Sequence, residues 1–207
     1  MYWEAISKGT IRSQDRFRGK IDNFLKQQAE ALEEILFANT LAIANPSLRK
    51  LPILSTSHKN GRYDFEWPTE LNIKEMLKTQ MIKLVKLEVW YYSEHNFMTG
   101  IRATLSNGLQ SPIFKTCADE QVGPVSLHIS KHSRPRALGI RSREDGVYGI
   151  KVLDKHDDNI VDWSGDITQG WKKQEIPNGE NIAGIYGLNG YGGNGIQNLG
   201  FITLAYY

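Results

Sequence analysis

The chain has 207 residues, of which 40% are hydrophobic and 10% aromatic, enough to bury an ordinary core and to exclude a disordered or fibrous protein. Its 25 Lys and Arg stand against 23 Asp and Glu, a formal net charge of +2. That balance points away from a nucleic-acid binder.

Residues 1–20 contain no apolar run of the signal-peptide kind, and no later stretch approaches the ~20 apolar residues of a membrane span. The expectation is a soluble cytoplasmic protein, with cytoskeletal or organelle association left open. Phe17, Ile21, Phe24, Leu25, Leu32, Ile35 and Leu36 recur at spacings of three and four, which predicts an amphipathic helix. Ser13 is placed to cap it, Asp15 sits near its positive end, and Pro46 should stop it. Its apolar stripe buries against its own domain or docks on a partner. Residues 44–80 lose periodicity and carry the breakers Asn60-Gly61 and Pro68, so 1–80 reads as a helical extension and connector.

From residue 81 the pattern changes. In "KLVKLEVWYY" the residues Val85, Leu87, Val89 and Tyr91 alternate with Lys86, Glu88 and Trp90, the period of a half-buried strand. "FMTGIRATLSNG" follows as a second strand ending at Asn107-Gly108, and then come "PVSLHIS", "RALGIRS", "YGIKVLD", "WKKQEIP", "NIAGIYG" and "IQNLGFITLAYY". Short strands with turns every ~8–12 residues predict a sandwich, barrel or prism. Cys117, the sole cysteine, has no histidine beside it; it excludes a disulfide framework and a cysteine-rich zinc site.

The segments "NFMTGIRATLSNG", "DGVYGIKVLDKHDDN" and "NGIQNLGFITLAYY" repeat one pattern, a turn, a small or polar residue, a glycine or asparagine, then an apolar strand. Two of them follow matching strands, "RALGIRSRE" and "NIAGIYGLN", and the first follows "VKLEVWYYSEH". This threefold pattern over residues 81–207 resembles the jacalin-related lectins. The resemblance implies a mainly β chain: a β-prism of three Greek-key sheets, preceded here by the helical extension. In that family the last repeat holds a Gly-x-x-x-Asp loop whose aspartate accepts hydrogen bonds from sugar hydroxyls. The matching stretch here is Gly193, Asn194, Gly195, Ile196 and Gln197, so glutamine replaces the acid; the equivalent positions in the other repeats are Thr99 and Tyr148. Losing a charge-assisted acceptor costs on the order of 1.5–3 kcal/mol. The glycines Gly187, Gly190, Gly192, Gly193 and Gly195 also suit tight turns that need positive φ.

Other clusters are weaker. His128 and His132 lie in a strand-to-loop context with no third ligand, and "DKHDDN" lacks the glycine and distal glutamate of an EF-hand. Lys131, Arg134, Arg136, Arg141 and Arg143 form a basic run that is a solvated face or a docking surface for an acidic protein partner. Trp90 opposes Tyr91 in the alternation and is a candidate exposed aromatic, for sugar stacking or a protein interface. No acid/base pair supports catalysis, and no cofactor or metal is expected. The leading expectation is a non-enzymatic scaffold, a subunit of a larger assembly that docks through a degenerate lectin domain onto protein partners. The alternative is a working cytosolic lectin for mannose- or galactose-type glycans.

Overall fold

Strand alternation directs one side of every hairpin inward, and the structure, a computed structural model, shows what those sides share. It describes residues 46–53, 64–69, 82–94, 96–116, 121–165, 170–190 and 195–206, with 20, 21, 24, 25, 27–29 and 32. Two compact units divide the chain, Met1–Ile43 and Ala44–Tyr207. In the first, the described positions are helical and Ile21, Phe24, Leu25 and Leu32 are exposed; Phe17, Ile35, Leu36 and the rest of the expected helix lie outside the described residues.

The second unit is mainly β. Its strands are β1 (Pro46–Lys50), β2 (Phe65–Trp67), β3 (Leu84–Tyr92), β4 (Met98–Leu105), β5 (Phe114–Lys115), β6 (Gln121–His128), β7 (Ala137–Ser142), β8 (Val147–Leu153), β9 (Asn159–Ser164), β10 (Lys172–Glu175), β11 (Glu180–Asn189) and β12 (Ile196–Tyr206). They form three four-stranded sheets, ordered β5-β4-β3-β6, β10-β7-β8-β9 and β1-β12-β11-β2, and all strand pairs are antiparallel. In the first two, three consecutive strands pair in hairpin order and the fourth returns beside the first, the Greek-key arrangement. The third has the same order once β11 and β12 are counted before β1 and β2. The chain therefore builds one prism wall from its two ends.

Inward residues of all three sheets meet in one apolar cluster, including Leu87, Val89, Ile101, Ile140, Ile150, Ile185, Leu199 and Phe201. Leu51, Phe65 and Trp67 belong to the same cluster. The β-domain thus reaches back past the expected boundary at residue 81. Pro46 opens an edge strand, where its missing N–H costs no ladder bond, rather than only stopping a helix. β1 is pinned by Arg49, whose Nη1 lies 3.3 Å from Oε1 of the buried Glu180, and whose carbonyl lies 3.3 Å from the Thr203 hydroxyl that donates to the same carboxylate.

β9 is another strand the sequence reading did not name, although buried Val161 and Trp163 alternate with exposed Asp162 and Ser164. On the outer side of the first sheet, Glu88 is buried between Arg102 Nε at 2.6 Å and Lys86 Nζ at 3.2 Å. The hydrogen bond from Arg102 is the main reason its carboxyl stays below the ordinary 4.5.

Two outcomes follow. A chain starting at residue 81 should lose cooperative urea unfolding, because β11 and β12 lose their outer neighbours and the core loses Leu51, Phe65 and Trp67. A chain starting at residue 44 should keep it. Glu88→Gln should cost about 2 kcal/mol at neutral pH. Because folding depresses the Glu88 pKa, its contribution is present above 4.5 and disappears as pH falls through the folded value. Acid titration followed by circular dichroism should therefore show the wild type converging on the variant below pH 4.5.

Candidate functional site at the hairpin tips

Three hairpins end on one side of the prism, at the turns β3–β4, β7–β8 and β11–β12. In each, the register slips near the tip. Trp90 pairs with Gly100 but Tyr91 with Met98; Arg141 pairs with Gly149 but Ser142 with Val147; Leu188 pairs with Asn198 but Asn189 with Ile196. The residues passed over are Thr99, Tyr148 and Gln197, the three positions expected to be equivalent. A bulge re-aims the side chain it frees, and here each goes a different way.

Thr99 is fully buried, and its hydroxyl finds no partner among the described residues. Gln197 is half-buried. Tyr148 is buried and joins Phe97 in a small aromatic cluster beside the main core, with Tyr92 packed against it. Phe97 stacks on Tyr92 with centroids 5.4 Å apart and meets Tyr148 edge-on at 6.0 Å. Arg143, from the β7–β8 turn, lies over the Tyr148 ring at 5.6 Å.

The tips are locked together by backbone as well as by rings. Gly195 donates its N–H to the Asp145 carbonyl at 3.1 Å, and the Gly190 N–H donates to the Gly195 carbonyl at 2.9 Å. A Cβ on Gly195 would collide with the Met98 carbonyl and lie 2.5 Å from the Phe97 ring, so the glycine is set by close approach. This corrects the expected reason for the glycines at Gly187 and Gly195. Neither has positive φ, and a Cβ on Gly187 would meet the Asn198 carbonyl and the Phe65 ring. Gly192, Gly193 and Asn194 lie outside the described residues.

Asp145 is the residue the sequence reading missed. Its Oδ2 accepts the Tyr148 hydroxyl at 2.6 Å, while its Oδ1 is buried with no donor among the described residues. A charged oxygen without a donor in a buried place is costly unless something fills the position. Burial, and then the hydrogen bond to Asp145, push the Tyr148 phenol well above its ordinary 10, against the opposing pull of Arg143. The phenol is therefore a fixed proton donor that holds one carboxylate oxygen still. Aligning the three turns would have found Asp145, since "REDG" is the tip of the middle repeat.

The basic run does not assemble. Arg134 and Arg136 precede β7, Arg141 lies within it and Arg143 follows it. At ~3.3 Å per strand residue, Arg136 and Arg143 sit about 20 Å apart along the sheet. Arg136 Nη1 instead donates to Asn178 Oδ1 at 2.9 Å. Trp90 is buried at 8% exposure, on the outer side of the first sheet between Arg102 and Lys115. Among the described residues there is no group of three His, Cys, Asp or Glu placed to hold a metal ion, and no helix is long and apolar enough to cross a membrane.

Neither the protein-family models nor the curated sequences contain a match to this chain. Solved structures do match. PirB has a TM-score of 0.54 at 12% identity over 76% of this chain, and the chain spans 38% of that protein's length. At this identity the likeness concerns the fold. Calystegia sepium agglutinin has a TM-score of 0.49 at 11% identity, covering 77% of this chain and 96% of that one. The mannose-binding lectin from champedak has 0.48 at 13%, covering 76% and 96%.

Gly195→Ala should destabilise the protein by about 1–3 kcal/mol through overpacking of the tips, read by urea denaturation. Folding raises the Tyr148 pKa, so its stabilisation is complete below pH 10 and fades as pH rises beyond it. Tyr148→Phe should consequently flatten the fall in stability above pH 10 and remove one late-ionising phenol from an ultraviolet titration.

Proposed function

We propose that the β-domain is a carbohydrate-binding module, not an enzyme, whose site is the tip end and whose acidic acceptor is Asp145. One observation carries the reading: a carboxylate with one oxygen held by Tyr148 and the other buried with no donor among the described residues, beside the backbone of Gly195. Neutral sugars are bound by such an acceptor, which takes short charge-assisted bonds from hydroxyl pairs, together with backbone N–H groups and an aromatic wall. Tyr92, partly buried and backed by the buried Phe97 ring, supplies that wall. The acid then comes from the middle hairpin, and Gln197 at the end of the glycine loop needs no charge.

The ligand class this suits is a neutral hexose of the mannose or galactose type. Titration calorimetry with methyl mannoside and methyl galactoside checks it. Binding of one of them, weakened about tenfold or more by Asp145→Asn while the circular dichroism spectrum stays native, is the expected result. Absence of binding to both glycosides refutes it.

A second reading, a subunit docked on protein partners through the N-terminal extension, is favoured by the exposed Ile21, Phe24, Leu25 and Leu32. Under it, deleting residues 1–43 releases the protein from a larger assembly that free sugar leaves intact.

A further inference from the structure

The outer side of the β7–β10 sheet carries a feature that the tip site does not use. Ile140 and Ile150 face the core, so the alternate residues Gly139, Arg141, Gly149 and Lys151 face outward. In register, Gly139 opposes Lys151 and Arg141 opposes Gly149, which leaves two glycines on one diagonal and two cations on the other. Trp171 lies over the glycine diagonal. A Cβ on Gly149 would come within 2.7 Å of its ring, and one on Gly139 within 3.2 Å. The Arg141 guanidinium and the Lys151 ammonium lie over the indole, 4.4 and 4.3 Å from its centroid.

The other two sheets show what is unusual here. At the equivalent register position Trp90 opposes Gly100 and Tyr186 opposes Gly200. Both aromatics are buried, and the Tyr186 hydroxyl donates to the Leu51 carbonyl. Of the cations beside them, Arg102 pairs with Glu88 at 2.6 Å and Lys50 with Glu66 at 2.7 Å, while Lys115 lies over the Trp90 ring. On the β7–β10 sheet Arg141 occupies the in-sheet aromatic position, and the ring arrives from outside, only partly buried. Lys151 makes no ion pair among the described residues, although Asp162 is its register partner on β9; the Asp162 carboxylate takes Asn159 Nδ2 at 3.1 Å instead. Arg141 Nη1 donates to the Ser164 hydroxyl at 3.1 Å.

We propose that this surface is a second ligand site, for an anionic saccharide, in which a pyranose ring packs on Trp171 while Arg141 and Lys151 hold its carboxylate or sulfate. The aromatic plane suits the apolar face of a sugar ring. The guanidinium fork meets two anionic oxygens at once, and the lysine supplies a compact point charge. A single ring on a flat sheet lacks the row of stacking aromatics that a nucleic-acid strand uses. Uronates and sulfated sugars share this chemistry, so both serve as probes.

The test is titration calorimetry of the full chain with a heparin hexasaccharide and with a galacturonate oligomer, and with methyl mannoside as the neutral competitor. Binding of either anionic probe should weaken about tenfold in Lys151→Gln and recover in Lys151→Arg. Lys151 is a surface side chain, so the variant folds even if Trp171→Ala does not. A large excess of methyl mannoside should leave this binding unchanged, which separates it from the tip site whether or not that site takes neutral sugar. The proposal is overturned if neither probe binds, if Lys151→Gln binds as the wild type does, or if a thymidylate oligomer of equal charge binds as tightly.

Discussion

Three cross-strand pairs, one in each sheet, face a single apolar core: Val89 with Ile101, Ile140 with Ile150, and Ile185 with Phe201. None of these side chains is more than 2% exposed. A four-stranded sheet of this size cannot bury its apolar side alone, so each sheet depends on the other two for its inner surface. The rest of the β-domain follows from that mutual dependence. Hairpins that share a core must end close together, and the close approach of Gly195 to the Phe97 ring is a direct result.

The same constraint divides the residues next to the core pairs. Immediately outward of each lies a glycine, Gly100, Gly149 or Gly200, opposed by Trp90, Arg141 or Tyr186. Two sheets cover their glycine with a ring from the opposing strand. The third has arginine there and borrows Trp171 from the lead-in to β10. A single change of residue type in an otherwise repeated pattern therefore turns a buried packing position into a partly exposed aromatic flanked by charge. At the tips the divergence is similar. The bulge repeats three times, yet it presents a buried threonine, a buried tyrosine and a half-buried glutamine. The repeat explains the scaffold, and the departures from it explain the two candidate sites.

Charge follows the same logic. Where carboxylates are needed to hold strands, they are buried and paired, as Glu88 is with Arg102 and Glu180 with Arg49 and Thr203. Asp145 differs because, among the described residues, only one of its oxygens has a donor, Tyr148. Buried networks are usually complete, which is why the proposed site is centred on this carboxylate.

Local alternation in "KLVKLEVWYY" and its counterparts was sufficient to place the hairpin strands, because a half-buried strand writes its period into adjacent residues. The threefold repeat was visible for the same reason, and so was the equivalence of Thr99, Tyr148 and Gln197. Strands β1, β2 and β5 were not legible. β5 is only two residues long, and β1 and β2 are short and pair with strands far away in the chain, as Pro46 and Tyr206 show. The basic run looked contiguous because sequence neighbours were counted together, whereas a strand separates them along its length. Asp145 and Trp171 could be named as residues but not as sites. What gives each its role is a residue from another hairpin or strand, Gly195 and Tyr148 for the first and Arg141 and Lys151 for the second. Residue type and periodicity are properties of the chain, and juxtaposition across strands exists only once the three sheets close on their common core.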